Sequence, residues 1–402
     1  MTAKVIRLDA QKASLKRKLR EHLKSLGFTK DENGALVPPS MTKESYRLVH
    51  AHHRQQKLKD SAKWIRNNAE ELIGHFASGS DIDVASIRPS LQLVPGDSAA
   101  SDLFRLASMN WQIPVSDGYG RRLRFLVWDE HNHKLMGLIA LGDAVFNLKA
   151  RDTKIGWDHL RRKDALVHMM DAYVLGAVPP YNTLLGGKVL ASLIRTKEVV
   201  QAFDDKYRQT KGLISNRKKR ARLVAVTTSS SLGRSSIYNR VALDGRKILE
   251  PIGYTSGWGH FHISDSLFED FRSFLSLNKD PYADGFDFGQ GPNWRIRVVK
   301  RALTLLGLKE DLVQHGMVRE IYLCEIAKNA RQFLCGDEPV PIYEDLPSID
   351  EIGRKAVNRW MVPRSERRPE FKQWRAEQFL DVIGPNVLQK IYKEKTRSGM
   401  GS

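Results

Sequence analysis

Apolar positions recur at helical spacing in the first segment of the chain. Leu15, Leu19, Leu23 and Leu26 mark one face, Gly27 closes it, and Lys12, Lys16, Arg17, Lys18 and Arg20 cover the remainder. A second helical stretch runs from about Thr42 to Phe76, with His50, His52, His53, Arg54, Lys57, Lys59, Lys63 and Arg66 on it. The Gly/Ser/Asp/Pro-rich stretch Gly79 to Gly96 reads as a linker. Beyond Asp102 the period shifts toward strands. Arg122-Leu-Arg-Phe-Leu-Val-Trp128 predicts one strand, Asp129 to Lys134 a turn, and Leu135-Met-Gly-Leu-Ile-Ala-Leu141 its partner.

The next stretch carries the most information. Asp171-Ala-Tyr-Val-Leu-Gly-Ala-Val178 predicts a buried strand, Pro179-Pro180 a turn, and Leu184-Leu-Gly-Gly-Lys188 a helix start. Val189, Leu190, Leu193, Ile194, Val200, Phe203 and Tyr207 then mark one face of a long helix. The basic run Arg217 to Arg222 precedes a second strand, Leu223-Val-Ala-Val-Thr-Thr228, and a Ser-rich turn, Ser229 to Ser231. Strand, glycine turn, helix and parallel strand form a crossover unit. Such a unit places free N–H groups of a helix start at the end of a strand, where anions are attracted.

Further on, His260-Phe-His262 predicts a short strand and Phe268, Phe271 and Leu275 a helix face. Asn278 to Pro292 is a Gly/Asp-rich loop, and Trp294 to Leu306 a helix with Arg297, Lys300 and Arg301 on one face. His315 to Cys324 predicts a strand and Ala327 to Leu334 a helix. After Gly336 the chain is Pro-punctuated and ends in a basic helical tail bearing Trp360, Arg364, Arg367, Arg368, Lys372 and Trp374. No internal repeat is present.

Charge sharpens this reading. Among 402 residues, 65 Lys plus Arg stand against 46 Asp plus Glu, a net charge of +19. Such an excess favours a polyanionic partner, nucleic acid before others and DNA in particular. Two cysteines, Cys324 and Cys335, are too few for a disulfide framework or a thiolate zinc site. The N-terminal residues lack the apolar core of a signal peptide, and no apolar run reaches membrane-spanning length, so a cytoplasmic protein without membrane contact is expected.

Several constellations are candidates for chemistry. Gly186, Gly187 and Lys188 suit a phosphate or cofactor cradle, although their spacing is not that of a P-loop; close strand–helix packing would also require glycine. Arg151, Asp152, Trp157 and Asp158 crowd polar and aromatic groups into eight positions, as a site or as a buried brace. Tyr238 could serve acid–base work, with Arg151 and Asp152 as further catalytic candidates. Candidate nucleic-acid contacts are Arg217, Lys218, Lys219, Arg220, Arg222, Arg234 and Arg240 in one stretch. Trp294, Arg295, Arg297, Lys300 and Arg301 form a second set, combining stacking with phosphate pairing. No metal is expected. His260 and His262, alternating on a strand, are the sole candidates for one, and a nicking mechanism would draw its nucleophile from Tyr238 or Tyr254.

A family resemblance rests on motifs recurring in order: Gly142-Asp-Ala-Val-Phe146, Arg151-Asp152 to Ile155-Gly-Trp157, Tyr173-Val-Leu-Gly-Ala-Val-Pro-Pro-Tyr-Asn182, Leu185-Gly-Gly-Lys188, Leu232-Gly-Arg-Ser-Ser-Ile-Tyr-Asn-Arg240 and Gly291-Pro-Asn-Trp-Arg295. Across about Asn110 to Gly336 the chain resembles the Druantia A protein family. That resemblance implies a role in bacterial anti-phage defence, and it carries over no catalytic residue or cofactor. More distantly, the order of strand, glycine loop, helix, strand and Tyr238 is similar to the GNAT acyltransferase fold. There an Arg/Gln-x-x-Gly-x-Gly/Ala loop cradles the CoA pyrophosphate and the tyrosine protonates the leaving thiolate. Here Thr183 stands where Arg or Gln would be and Lys188 replaces the last small residue, so tight acetyl-CoA binding is not expected.

The expected architecture is α/β (α+β): a GNAT-like mixed central sheet with flanking helices, plus basic helical N- and C-terminal regions. Its parts are a basic helical region and linker (1–95), the GNAT-like core (96–275), a helical extension (276–340) and a basic C-terminal tail (341–402). The expected function is a nucleic-acid-binding component of an anti-phage system. Two other classes stand beside it. One is an enzyme acting on nucleic acid by acyl-type modification or metal-dependent nicking; the other is an adaptor docking on a larger defence helicase or nuclease.

Overall fold

Alternation along Arg122–Asp129 directs Leu123, Phe125 and Val127 to one side of a sheet and Leu126 to the other, and all four are buried. In the computed structural model this strand belongs to a seven-stranded mixed sheet. The structure describes residues 3–32, 36–37, 39, 42–115, 120–211, 218–257, 260, 262–283, 294–314, 316–344 and 346–383. The strands are β1 (Pro89–Leu93), β2 (Arg122–Asp129), β3 (Lys134–Asp143), β4 (Met169–Ala177), β5 (Ala225–Ser229), β6 (Glu250–Tyr254) and β7 (Glu320–Glu325). Their order is β6-β7-β5-β4-β3-β2-β1. Every neighbouring pair is antiparallel except β4 and β5.

The chain divides into two units. One comprises residues 58–111, 115–255 and 319–402 and holds the sheet; the other comprises 1–57, 112–114 and 256–318. In the sheet unit helices cover both faces. On one side, the helices Gly186–Leu193, Lys197–Tyr207 and Ile349–Ala356 bury Leu190, Leu193, Val199, Phe203 and Ile352 in one cluster with residues of β2, β3 and β4. On the other, Ala62–Leu72 and Ala99–Ser108 pack Ile65, Leu72, Leu103 and Leu106 against Leu126, Leu138 and Val174.

Three expectations change here. Part of the stretch read as a linker, Pro89–Leu93, is the edge strand β1, in register with β2 through Leu91 and Val127. A proline is tolerated at such an edge, which its Gly- and Pro-rich setting obscured. The long helix after Lys188 is two helices. Thr196 is extended (φ −131°, ψ 159°), and its hydroxyl donates to the Leu193 carbonyl at 2.9 Å, so a side chain takes the role of a helical N–H. The C-terminal basic stretch is part of the core. A Ser348–Glu351 capping box starts Ile349–Ala356, and Ile352, Ala356, Val357, Trp360 and Met361 are buried in the main cluster.

In the other unit, Leu15, Leu19, Leu23 and Leu26 are buried on the predicted face of Ala3–Ser25. Phe268, Phe271 and Phe274 of Asp265–Leu277 and Val298, Ala302 and Leu303 of Trp294–Leu305 are buried as well. Among the described residues, no helix is long and apolar enough to cross a membrane.

The parallel contact is short. Met169, Met170 and Asp171 pair with Ala225, Val226 and Thr227, after which β4 runs on to Ala177 without β5 beside it. Two side chains fill the opening. The Thr228 hydroxyl donates to the Ala172 carbonyl at 2.8 Å, and the Tyr238 hydroxyl donates to the Leu175 carbonyl at 2.9 Å. Replacing Tyr238 by Phe leaves that carbonyl without its donor inside the sheet. The expected cost is about 1–3 kcal/mol, with a fall of a few degrees in Tm. Urea and thermal denaturation of Tyr238→Phe measure it, and an unchanged midpoint would show that the tyrosine does not seal the opening.

Candidate anion cavity and nucleic-acid interface

The glycine loop starts the Gly186–Leu193 helix directly beyond β4. Leu185 adopts a left-handed conformation (φ 63°), and no side chain caps the first turn. The two glycines differ in role. A Cβ on Gly186 would lie 2.7 Å from the Tyr181 carbonyl oxygen and 3.1 Å from the Ala177 Cβ, so this glycine lets helix and strand approach. A Cβ on Gly187 would meet Ile237 at 3.6 Å, an ordinary contact.

Lys188, on the first turn, looks into a cavity of about 360 Å3. The turn beyond β5 supplies its second wall through Ser236, Ile237 and Arg240. Arg359, Trp360, Arg364 and Arg367 supply the third, from the C-terminal helical segment. Arg359 and Trp360 lie on a π-helical turn, Val357–Met361; such turns frequently mark functional sites. Five cations therefore line one cavity and no carboxylate does. Among the described residues none of the five forms an ion pair. Lys188 sits 5.4 Å over the Trp360 ring, a cation–π contact. Burial lowers the Lys188 pKa, and the charges of Arg240 and Arg359 push it further down. Backbone bonds orient two of the arginines: Arg364 Nε donates to the Thr183 carbonyl at 3.1 Å and Arg367 Nε to the Pro363 carbonyl at 3.0 Å.

The catalytic candidates lie elsewhere in the same unit. Tyr238 is tied by its hydroxyl to Leu175, packs edge-on against Tyr322 at 5.5 Å, and has its pKa raised by burial. Arg151 is fully buried. Its Nε and Nη2 donate to Asp152 Oδ1, and Nη1 and Nη2 donate to the Val145 and Phe146 carbonyls. Asp152 also accepts from Trp157 Nε1 at 2.9 Å and Arg162 Nη1 at 2.8 Å. Burial acts to raise its pKa, but the hydrogen bonds from Arg162, Trp157 and Arg151 outweigh burial and hold it below the usual carboxylate range. This network braces the Lys149–Ile155 helix and the turn after it; Asp152, Trp157 and Arg162 also line a separate cavity of about 460 Å3.

The nucleic-acid candidates separate into engaged and open groups. Arg222 pairs with Asp204 at 3.0 Å, Arg295 with Asp265 at 2.8 Å and Arg301 with Asp280 at 2.7 Å. Trp294 packs edge-on against Phe268, over which Arg295 also lies at 4.1 Å. Arg220, Arg234, Arg240 and Arg297 are exposed, and Lys300 is half-buried. Lys218–Arg220 forms an antiparallel ribbon with Gln209–Lys211, whereas Arg217 lies outside the described residues. Of the candidates, Lys188 and Arg240 are brought together. Arg359 was not singled out from sequence. Its signal was the Arg/Trp-rich C-terminal stretch, whose fold-back onto the glycine loop is a tertiary event.

His260 and His262 do not share a strand. His260 makes one bridge, to Gln314, and His262 lies outside any strand, its ring stacked on His53 with centroids 4.1 Å apart and planes 9° from parallel. His22 lies against the same residue, its Nε2 2.9 Å from the His262 carbonyl oxygen. Among the described residues, no group of three or more His, Cys, Asp or Glu is placed to hold a metal ion.

Comparison with known proteins adds the family. The model of "Druantia protein DruA" matches residues 40–336. The Druantia protein DruA of Escherichia coli (strain UMEA 4076-1) is 49% identical over 385 residues, which cover 96% of this chain and 95% of that protein. This chain belongs to the DruA family. No solved structure matches it. The family model ends before the C-terminal wall of the cavity, so Arg359, Trp360, Arg364 and Arg367 lie outside its match while Lys188 and Arg240 lie inside it.

The histidine stack has a pH consequence. Burial first, then the charges of His53 and Arg295, depress the His262 pKa to about 4 against Asp265, which raises it. A histidine depressed below its unfolded value near 6.5 must stay neutral in the fold. The unit holding it is expected to keep full stability above about pH 6.5 and to lose it as pH falls toward 4. His262→Asn should flatten that decline relative to wild type in urea titrations at pH 7.5, 5.5 and 4.5. A parallel decline in both proteins would remove His262 as the cause.

Proposed function

We propose that this chain is the nucleic-acid-binding component of a Druantia-type anti-phage system. The observation that carries the reading is the cavity in which Lys188, Arg240, Arg359, Arg364 and Arg367 converge without a carboxylate. Like charges held together repel, and a polyanion relieves that repulsion. Arg234, also exposed, lies in the same segment after β5 and adds a further cation to it, supporting contact with a backbone that continues beyond the cavity. DNA is the expected polymer, and other proteins of the system, a helicase among them, are the expected partners.

The sheet also supports a GNAT-like reading of its architecture. β4, the glycine loop, a helical segment, the parallel β5 and Tyr238 follow one another in the order of that resemblance, although the segment is two helices and a short ribbon here. The tyrosine hydroxyl is engaged with Leu175, and Lys188 enters a cation-lined cavity. These contacts favour binding of an anion over acyl transfer from a thioester.

Phosphate contacts release counterions, so affinity falls steeply with salt. Each phosphate engaged predicts a loss of about threefold between 50 and 200 mM NaCl. Fluorescence anisotropy on single- and double-stranded DNA measures this, with Arg240→Gln/Arg359→Gln as the test variant. The double variant should lower the log–log salt slope by about 1 and weaken all sequences alike. Salt-independent binding, or a variant indistinguishable from wild type, would overturn the proposal.

A further inference from the structure

The cavity has features that an internal stretch of nucleic-acid backbone does not require. It is walled on three sides, by the glycine-loop helix start, the Ser236–Arg240 turn and the C-terminal helical segment. Its volume of about 360 Å3 falls in the size range of single-ligand pockets. A strand passing through needs a long open groove, whereas this volume suits one group at a time. The charge density points the same way. An internal phosphodiester carries one negative charge, whereas a phosphate monoester carries about −1.5 to −2 near neutral pH and presents three acceptor oxygens. The planar guanidinium groups of Arg359, Arg364 and Arg367 suit such a multi-oxygen acceptor, which they can meet with two hydrogen bonds each. Beside the cations, Ile237 keeps 37% of its surface exposed and gives the group attached to the phosphate an apolar shelf.

We infer that this cavity binds a terminal phosphate, a phosphate monoester on a nucleoside, from a free nucleotide or from the end of a nucleic-acid strand. The inference rests on the nucleic-acid reading above and narrows it to a chemical group. Lys188, Arg240 and Arg359 contact the phosphate, Arg364 and Arg367 close over it, and Ile237 lies against the sugar or base.

The test compares one DNA sequence carrying a 5′-phosphate, a 3′-phosphate or neither, by anisotropy with an internal label. Thermal shift with AMP, adenosine and inorganic phosphate accompanies it. A phosphorylated strand should bind about tenfold more tightly than the dephosphorylated one, and Arg359→Gln should erase that difference. Arg359 and Arg240 are exposed, so the substitutions leave the core intact, and the unliganded melting temperature checks this. AMP raising the melting temperature while adenosine does not would assign free nucleotides as ligands. Strand discrimination without an AMP shift would assign the strand end; both results support the inference. Equal binding of all three strands with no AMP effect would overturn it while leaving nucleic-acid binding intact. Inorganic phosphate acting as strongly as AMP would remove the nucleoside from it. Failure of every strand to bind would overturn the nucleic-acid reading and the inference together.

Discussion

The parallel contact between β4 and β5 lasts for three residue pairs, and the geometry of the candidate site follows from how soon it ends. Once β5 leaves β4, the carbonyls of Ala172 and Leu175 face an opening that Thr228 and Tyr238 must fill. Buried carbonyls without donors are costly, so the turn after β5 is held against the sheet. That anchoring puts Ile237 and Arg240 beside the helix start that follows β4. The crevice beyond the carboxyl ends of two parallel strands is where open α/β sheets commonly bind ligands. Here the C-terminal segment closes it, because Trp360 and Met361 are drawn into the core while Arg359 remains at the surface.

Electrostatics separates this cavity from several buried or half-buried arginines of the sheet unit. Arg121 is paired with Asp143, Arg151 and Arg162 with Asp152, and Arg222 with Asp204. In each case a carboxylate removes most of the attraction for an outside anion. Among the described residues the five cations of the cavity form no ion pair, and no carboxylate lines it. Net charge alone says that a polyanion will be attracted somewhere; the pattern of pairing says where the attraction is left open.

Much of the framework was legible because it is local. The β2–β3 hairpin, the β4–glycine–helix unit, and the leucine face of Ala3–Ser25 are written in short periods of apolar residues. Motif order was legible too, and the family followed from it. What the sequence concealed depends on contacts between distant segments. Pro89–Leu93 is a strand because β2 is there to pair with it, and residues 349–361 are core because the sheet offers a face. The site was half visible. Gly186, Lys188 and Arg240 stand in motifs, but Gly186 turns out to serve packing, and Arg359 joins Lys188 only through the fold. Tyr238 has the right place in the order of parts for acid–base work, yet its hydroxyl is spent on a strand carbonyl, a bond no spacing reveals.

The most direct test of the account is to locate bound DNA on the protein by photo-crosslinking a photoreactive oligonucleotide and sequencing the attached peptides. The account predicts crosslinks in the glycine loop and Lys188, in the turn from Ser235 to Arg240, and in the segment from Val357 to Arg367. Crosslinks confined to other surfaces, with those three segments unlabelled, would contradict it.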